Sequence, residues 1–207
     1  MKSDFIYEAE NRENSLETYE WDNVWWEHAP DRQHKRVLYI GDSISCGIRR
    51  FATEESGDEI YFDGFGTSKA IDNPFFQSSL HIFAEQQGRR DAVIFNNGLH
   101  GWHLDDKAYE KAYCKMLEFL KKEFSEVPIA VALSTAVTNS EEQCQTVVRR
   151  NKIAGCLADK FSLPVIDLFS VSVECANIHT PDGVHFEEPA NRRLAKKILE
   201  DLEKIIS

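Results

Sequence analysis

The chain carries five short apolar runs, and a helical pattern or a polar loop follows each of them. Apolar runs of about four to eight residues bounded by turn residues are typical of buried strands. Strands that alternate with helices predict an α/β fold, here a five-stranded parallel sheet with helices on both faces. The five predicted strands are VLYI (37–40), EIYFDG (59–64), AVIFNNG (92–98), PIAVALS (128–134) and LPVIDLF (163–169).

Helix signals occupy most of the segments between these strands. One segment has Asn73 as its expected N-cap, Pro74 in its first turn and Gly88 at its end. The segment 105–124 has acidic residues in its first turn and basic residues in its last, which suits the helix dipole. The predicted helices cover residues 43–55, 73–88, 105–124, 139–161 and 188–206.

The first 35 residues differ from the rest of the chain. Residues 4–31 hold nine acids and a single base, Arg12, and tryptophans cluster near the end of the segment. This segment is too aromatic for a disordered tail. We expect an acidic, aromatic extension (residues 1–35) that packs on a domain formed by residues 36–207. The alternative is that Trp25 or Trp26 lines a substrate groove.

Length and charge narrow the class of protein. A 207-residue chain that is 42% hydrophobic suits one domain with a full core. A net charge of −11 disfavours nucleic acid as a partner, because phosphates attract Lys and Arg. The sequence has no run of about 18 apolar residues, so we expect no membrane span. The N-terminus lacks the apolar core of a signal peptide, so we expect none. Five scattered cysteines suit neither zinc nor disulfides, so we expect reduced thiols and a cytoplasmic protein.

Unusual polar residues follow the predicted strands. Ligand and catalytic sites of parallel sheets form beyond the carboxyl ends of the strands. Ser43 follows the first strand, and Asp182 and His185 lie in a loop after the fifth. A serine hydroxyl needs a base to act as a nucleophile, and histidine oriented by a carboxylate is such a base. The alternatives are that Ser43 caps a helix and that Asp182 only forms a turn.

These residues lie in motifs that resemble a known family. The stretches IGDSIS and PDGVHF together are similar to motifs of the GDSL, or SGNH, hydrolases, with Ile44 in place of the leucine of the name. The resemblance implies a flavodoxin-like three-layer sandwich and esterase or lipase activity. It also implies that Ser43 is the nucleophile and that Asp182 and His185 complete a catalytic triad.

The resemblance also implies an oxyanion hole, in which one part of the chain departs from the family. A glycine after the second strand is expected to donate its N–H beside that of Ser43, and Gly66 is preferred over Gly64. Where the family has Gly-x-Asn-Asp, the stretch FNNGLHGW places His100 on the asparagine that donates to the oxyanion. An imidazole N–H can fill that role. Asn97 is the alternative donor, and a hole with backbone donors alone is the other possibility.

The remaining candidates near this loop are Trp102 and the pair formed by His100 and His103. Trp102 is expected to bind substrate, with a core or lid role as the alternative. The H-x-x-H pair lacks a third ligand at metal spacing, so we expect no metal and no cofactor. Position 45 is a serine, whereas the nucleophile elbow of α/β-hydrolases has glycine two residues after its serine. This difference favours the flavodoxin-like family over the α/β-hydrolases.

The predicted activity is hydrolysis of a carboxylic ester through an acyl-enzyme. Short polar loops between the motifs favour a short acyl group, such as acetyl on a carbohydrate, and a small-molecule or carbohydrate ester as the partner. The main alternative is a carbohydrate-binding relative without catalysis. A flavin- or phosphate-binding protein with a phosphate loop at SISCG is a further alternative, and it leaves Asp182 and His185 without a role.

Overall fold

The structure, a computed structural model, describes residues 15–206. The predictions for residues 1–14 and Ser207 therefore lie outside the described residues. The six strands are β1 (Asp22–Trp25), β2 (Lys35–Gly41), β3 (Ile60–Thr67), β4 (Ala92–Phe95), β5 (Ile129–Ala132) and β6 (Val165–Ile166). The helices are α1 (Ser43–Glu55), α2 (Phe76–Gln87), α3 (Asp106–Glu123), α4 (Glu141–Phe161), α5 (Leu168–Glu174) and α6 (Glu188–Ile206), with a 3₁₀ turn at Ala176–Ile178.

The strands form one sheet in the order β1-β3-β2-β4-β5-β6. From β3 to β6 all neighbours are parallel, and the order reverses at β2, as in flavodoxin-like folds. The predicted α/β class and flavodoxin-like topology are confirmed. The reversal leaves a crevice beyond the carboxyl ends of β2 and β4, where Ser43 and the loop after Phe95 begin.

The strand count was predicted wrongly, because the sheet has six strands and not five. The additional strand, β1, pairs antiparallel with β3 at the edge of the sheet. All four of its residues are exposed, so it has no apolar run to reveal it. These residues form a strand because they pair with β3, which is distant in the sequence. The local sequence pattern therefore does not predict it.

The sheet separates two apolar layers, which makes the fold a three-layer sandwich. Val37 and Tyr39 of β2 pack in a core that includes residues of α1 and α6. The alternate residues Leu38 and Ile40 pack in a second core that includes residues of α2 and α3. This alternation follows from the two-residue period of a strand, and it explains why β2 is apolar on both faces.

Several element boundaries differ from the predicted ones. β3 continues through Thr67 because its last residues pair with β1 on one side and β2 on the other. Helix α2 begins only at Phe76, while the Asn73 side chain accepts a hydrogen bond from the Phe75 N–H. Ser140 caps α4, with its hydroxyl accepting from the Gln143 N–H. Helix α5 was not predicted, because its first two residues belong to the apolar run that predicted a strand over 163–169. The strand β6 covers only Val165–Ile166, and α5 begins at Leu168.

A buried ion pair holds the segment after β1 to the sheet. Asp63 of β3 is fully buried and binds the Arg36 guanidinium through both carboxylate oxygens, at 2.6 and 2.9 Å. It also accepts hydrogen bonds from the Glu27 N–H, at 2.8 Å, and from the Gln87 amide. Nearby, Trp26 stacks on Phe83 with ring centroids 5.0 Å apart.

Within residues 15–206, none of the helices is both long and apolar enough to span a bilayer.

Candidate active site

Ser43 is the first residue of α1, directly beyond the carboxyl end of β2. The preceding Asp42 caps the helix, with Oδ1 accepting from the Ile44 N–H at 2.9 Å. A Cβ at Gly41 would lie 2.8 Å from the Ser45 Cβ, so the sharp turn from strand to helix excludes larger residues at position 41. Ser43 therefore lies at the positive end of a helix dipole, a place that favours developing negative charge.

Asp182 and His185 lie together in the loop before α6. Asp182 Oδ2 is 2.7 Å from His185 Nδ1. Its Oδ1 accepts hydrogen bonds from the Val184 N–H, the His185 N–H and the Thr180 hydroxyl, at 2.8, 2.9 and 2.8 Å. The turn that the sequence suggested thus exists, and it also orients an imidazole.

The Asp182 carboxyl is held in its ionised form. Partial burial works to raise its pKa, but the hydrogen bonds from the His185 side chain, from the backbone of His185 and Val184, and from Thr180 outweigh this. The net result is a pKa well below the usual range of an aspartic acid. An ionised Asp182 favours hydrogen on the near nitrogen of His185, Nδ1, which leaves Nε2 able to accept a proton.

The structure brings Ser43 to this pair. Its Oγ lies 2.8 Å from His185 Nε2, although the two residues are 142 positions apart in the chain. Hydroxyl, imidazole and carboxylate form a continuous hydrogen-bonded chain. Such a chain can transfer the serine proton to the imidazole while the hydroxyl oxygen attacks an electrophile.

His100 lies in the loop after β4 and is 3% exposed. Its Nδ1 is 3.7 Å from Oε1 of Glu17, a residue of the N-terminal segment. The Trp21 ring approaches the imidazole edge-on, with centroids 6.3 Å apart. The N-terminal segment thus contacts the loop in which the sequence predicts an oxyanion donor.

Arg150 of α4 anchors that loop, a role that the sequence pattern around it does not predict. The guanidinium is almost fully buried and donates to the backbone carbonyls of Gly98, His100 and Gly101, at 3.0, 2.7 and 2.6 Å. It also lies over the Trp102 ring, 5.1 Å from the centroid. An arginine inside a predicted amphipathic helix normally faces solvent, so only its burial reveals this role.

Asn97, the alternative donor, is already engaged. Its Nδ2 donates to the Lys69 carbonyl at 2.9 Å, which joins the loop after β4 to the loop after β3. The neighbouring Asn96 donates to the Ala132 carbonyl and to the Ser134 hydroxyl. The two asparagines therefore connect the strand ends to each other.

Gly66 lies inside β3 and not in a loop after it. It pairs with Asn23 of β1, and the Ser68 N–H donates to the Trp21 carbonyl two residues along the same ladder. Hydrogen-bonded pairs recur at every second position of an antiparallel ladder, so the Gly66 N–H points toward β1. An oxyanion role for Gly66 requires this N–H to turn away from β1. A Cβ at this position would lie 2.2 Å from the Cys46 Sγ.

Trp102 is half-buried and lines a cavity of about 550 Å³ between the start of α3 and the start of α4. Polar and charged side chains form most of the remaining wall, among them Asp105, Glu142, Gln143 and Arg149. The second histidine of the H-x-x-H pair, His103, is 2.9 Å from Asp72. Within residues 15–206, His100 and His103 belong to no group of three side chains at metal-binding distance.

Solved structures share this architecture. An acetyl xylan esterase superposes with a TM-score of 0.62 at 22% sequence identity, over 81% of this chain and 99% of that one. A member of the lipolytic G-D-S-L family from Veillonella parvula gives a TM-score of 0.65 at 15% identity, over 82% and 99% of the two chains. A lipase/acylhydrolase from Enterococcus faecalis gives 0.65 at 14% identity, over 82% and 96%.

The sequence comparisons differ from the structural ones. Neither a protein-family model nor a curated protein sequence matches the chain. The structural likeness confirms what the motifs around Ser43 and His185 indicated about the fold. This chain has the fold of the GDSL/SGNH hydrolases.

Proposed function

We propose that this protein is a serine esterase of the GDSL/SGNH type that hydrolyses carboxylic esters. The observation that carries the proposal is the hydrogen-bonded chain from Ser43 Oγ through His185 to Asp182. Both contacts are shorter than 3 Å, and the first joins residues that are 142 positions apart in the chain. This is the arrangement that makes a serine hydroxyl nucleophilic near neutral pH.

In the proposed mechanism, Ser43 Oγ attacks the acyl carbon while His185 Nε2 takes the hydroxyl proton. The carbonyl electron pair moves to oxygen and forms a tetrahedral oxyanion. When it returns, the bond to the alcohol breaks, and His185 gives its proton to the departing alcohol. Water then attacks the acyl-Ser43 ester with His185 again as the base, which releases the acid and restores Ser43.

The oxyanion needs donors aimed at it before the reaction begins. We assign this role to the Ser43 N–H, at the start of α1, and to the His100 side chain. Gly66 contributes if its N–H leaves the β1 ladder, and Asn97 remains the alternative to His100. The anchoring of the 98–101 loop by Arg150 supports the assignment of His100, because catalytic donors must be fixed in place.

We propose a short acyl group, with acetyl on a carbohydrate as the first candidate. The loops that follow β4 and β5 contain no additional helix that could cover a long acyl chain. Trp102 with the polar cavity beside it suits a sugar, since aromatic faces and hydrogen-bonding side chains bind carbohydrates. A structural neighbour is an acetyl xylan esterase, which supports the same class.

The division of the chain also remains a proposal, with residues 36–207 as the hydrolase domain and residues 1–35 as an extension. The pairing of β1 with β3 and the contact between Glu17 and His100 support this proposal for the described part of the extension. In this view the extension supplies one sheet edge, and it supplies Glu17 and Trp21 beside His100.

Hydrolysis of p-nitrophenyl esters of increasing chain length tests the proposal. We expect the wild type to cleave the acetate fastest and Ser43→Ala to be inactive on every ester. Equal or faster cleavage of long esters would overturn the short-acyl assignment. No cleavage of any ester, together with binding of acetylated oligosaccharides, would favour the carbohydrate-binding alternative.

A further inference from the structure

Glu17 is buried against the loop that carries His100. Its side chain is 1% exposed, and the His100 side chain is 4% exposed. Glu17 Oε1 accepts a hydrogen bond from the Gly101 N–H at 2.9 Å and lies 3.7 Å from His100 Nδ1. An acid of the N-terminal segment therefore faces an imidazole that follows β4.

The buried carboxylate has few partners to balance its charge. Among residues 15–206, Glu17 Oε2 is buried without a hydrogen-bond partner. A carboxylate removed from water is unfavourable unless a cation or several donors compensate it. One backbone N–H is weak compensation, and the His100 imidazole faces the same carboxylate, with Nδ1 3.7 Å from Oε1.

Among residues 15–206, Arg150 is a further charged group that contacts this loop. Its guanidinium donates to the His100 carbonyl at 2.7 Å and to the carbonyls of Gly98 and Gly101. A nearby cation disfavours a second positive charge on the imidazole, whereas the Glu17 carboxylate favours it. Trp21 contributes an uncharged ring edge, and Lys69 is paired with Asp22 at 2.7 Å. Among the residues that the structure describes, Glu17 thus places a negative charge 3.7 Å from the imidazole.

We propose that Glu17 is a positioning residue that keeps a hydrogen on His100 Nε2, so that His100 can donate to the substrate oxyanion. This inference rests on the proposed esterase function. When Glu17 and His100 share one proton, it lies either on Nδ1 or on the carboxylate. In both arrangements Nε2 carries the other ring hydrogen.

Loss of the shared proton removes the donor. The remaining ring hydrogen is then drawn to Nδ1, toward the Glu17 carboxylate, and Nε2 presents a lone pair to the oxyanion. Activity of the wild type should therefore fall at alkaline pH. A histidine at this position makes the reaction depend on a neighbouring acid, a dependence that an asparagine would not create.

The first experiment compares the wild type with Glu17→Gln by NMR titration of the His100 ring nitrogens. We expect His100 to stay protonated in the wild type to a pH about one unit or more above that in the variant. In parallel, kcat/KM of Glu17→Gln should fall about tenfold to a hundredfold at pH 8 and less at pH 6. An unchanged titration of His100 would overturn the proposal.

A matched control is Glu27→Gln, which neutralises another acid of the same segment whose side chain binds Trp25. This variant should leave the His100 titration unchanged. If Glu17→Gln does not fold, Glu17→Asp keeps the charge at a greater distance and should give a smaller shift in the same direction. A shift in Glu27→Gln equal to that in Glu17→Gln would show an effect of overall charge and overturn the proposal.

The His100→Asn variant separates positioning from folding. An amide donates without a proton equilibrium, so adding Glu17→Gln to His100→Asn should change kcat/KM by less than about twofold. If adding Glu17→Gln lowers kcat/KM as much in His100→Asn as it does in the wild type, Glu17 has a structural role only, and the proposal is overturned. If the wild type cleaves no ester, the proposed function fails, and the NMR titration still decides whether Glu17 and His100 are paired.

Discussion

Ser43 Oγ and His185 Nε2 meet at 2.8 Å, beyond the carboxyl end of β2 and before the start of α6. The contact exists because two separate loops converge at the crevice where the strand order reverses. Helices α1 and α6 pack against each other through one apolar core, which holds both loops in place. Packing energy distributed over the whole layer thus fixes a distance that the chemistry needs within tenths of an ångström.

Ser43→Ala and His185→Ala should each lower kcat by about 10⁴- to 10⁶-fold, because the two residues act as one unit. For the same reason the double variant should be no slower than the slower single variant. Steady-state kinetics on the best ester measures this. Ser78→Ala, which changes an exposed hydroxyl on α2, is the control and should keep full activity. Losses that multiply in the double variant would show that the pair does not act together.

Asp182→Asn should lower kcat by about 10⁴-fold, because an amide no longer favours the correct tautomer of His185. The side-chain oxygen that accepts from the Val184 and His185 N–H groups can be retained in this variant, so the loop should keep its shape. Kinetics together with a circular dichroism spectrum distinguishes the two effects. A variant with nearly full activity would remove Asp182 from the triad.

The lowered pKa of Asp182 also predicts how stability changes with pH. Because the folded-state pKa lies below the ordinary value of 3.8, the ionised form stabilises the fold above about pH 4. This stabilisation is lost as pH falls below that value toward the folded-state pKa. The difference in unfolding free energy between wild type and Asp182→Asn should be present at pH 7 and shrink below pH 4. Urea denaturation at both pH values tests this, and a constant difference would contradict it.

Arg150→Met should destabilise the protein by about 3 kcal/mol or more, because it leaves three buried carbonyls without their donor. The adjacent Arg149 provides a matched control. It is 49% exposed and pairs with Asp106 at the surface, so Arg149→Met should change stability by less than about 1 kcal/mol. Thermal and urea denaturation compare the two variants. Similar losses would mean that the Arg150 contacts contribute little.

Asp63→Asn should destabilise the protein by about 3–5 kcal/mol, because it leaves the buried Arg36 guanidinium without its counter-charge. Glu174→Gln, in an exposed pair with Arg193, is the control and should stay within about 1 kcal/mol of the wild type. Urea denaturation at pH 7 measures both variants. A neutral Asp63→Asn would show that the ion pair does not hold the segment after β1.

The parts of the fold that follow a local rule were predictable. The five parallel strands are apolar on both faces because helices cover both sides of the sheet. Helix α3 shows its position locally, with an acid in its first turn and bases in its last. The edge strand β1 was not, because its four exposed residues acquire strand geometry only through β3. The end of β3 was misplaced for the same reason, and this moved Gly66 from a loop into the sheet.

The residues of the candidate site also differ in whether the local sequence predicts their role. Ser43, Asp182 and His185 occur in short motifs whose spacing indicates their chemistry. Arg150 and Glu17 do not, because an arginine in a polar helix and a glutamate in an acidic segment resemble any solvated side chain. Their burial depends on contacts about 50 and 84 residues away in the chain.

The most direct test of the central claim is intact-mass spectrometry of the protein treated with a serine-directed fluorophosphonate. We predict one adduct per chain, located on Ser43, with no adduct on Ser43→Ala and greatly slowed labelling of His185→Ala. Labelling needs only the activated hydroxyl, so the result does not depend on knowing the natural ester. An unlabelled wild type, or an adduct that persists in Ser43→Ala, would contradict the account.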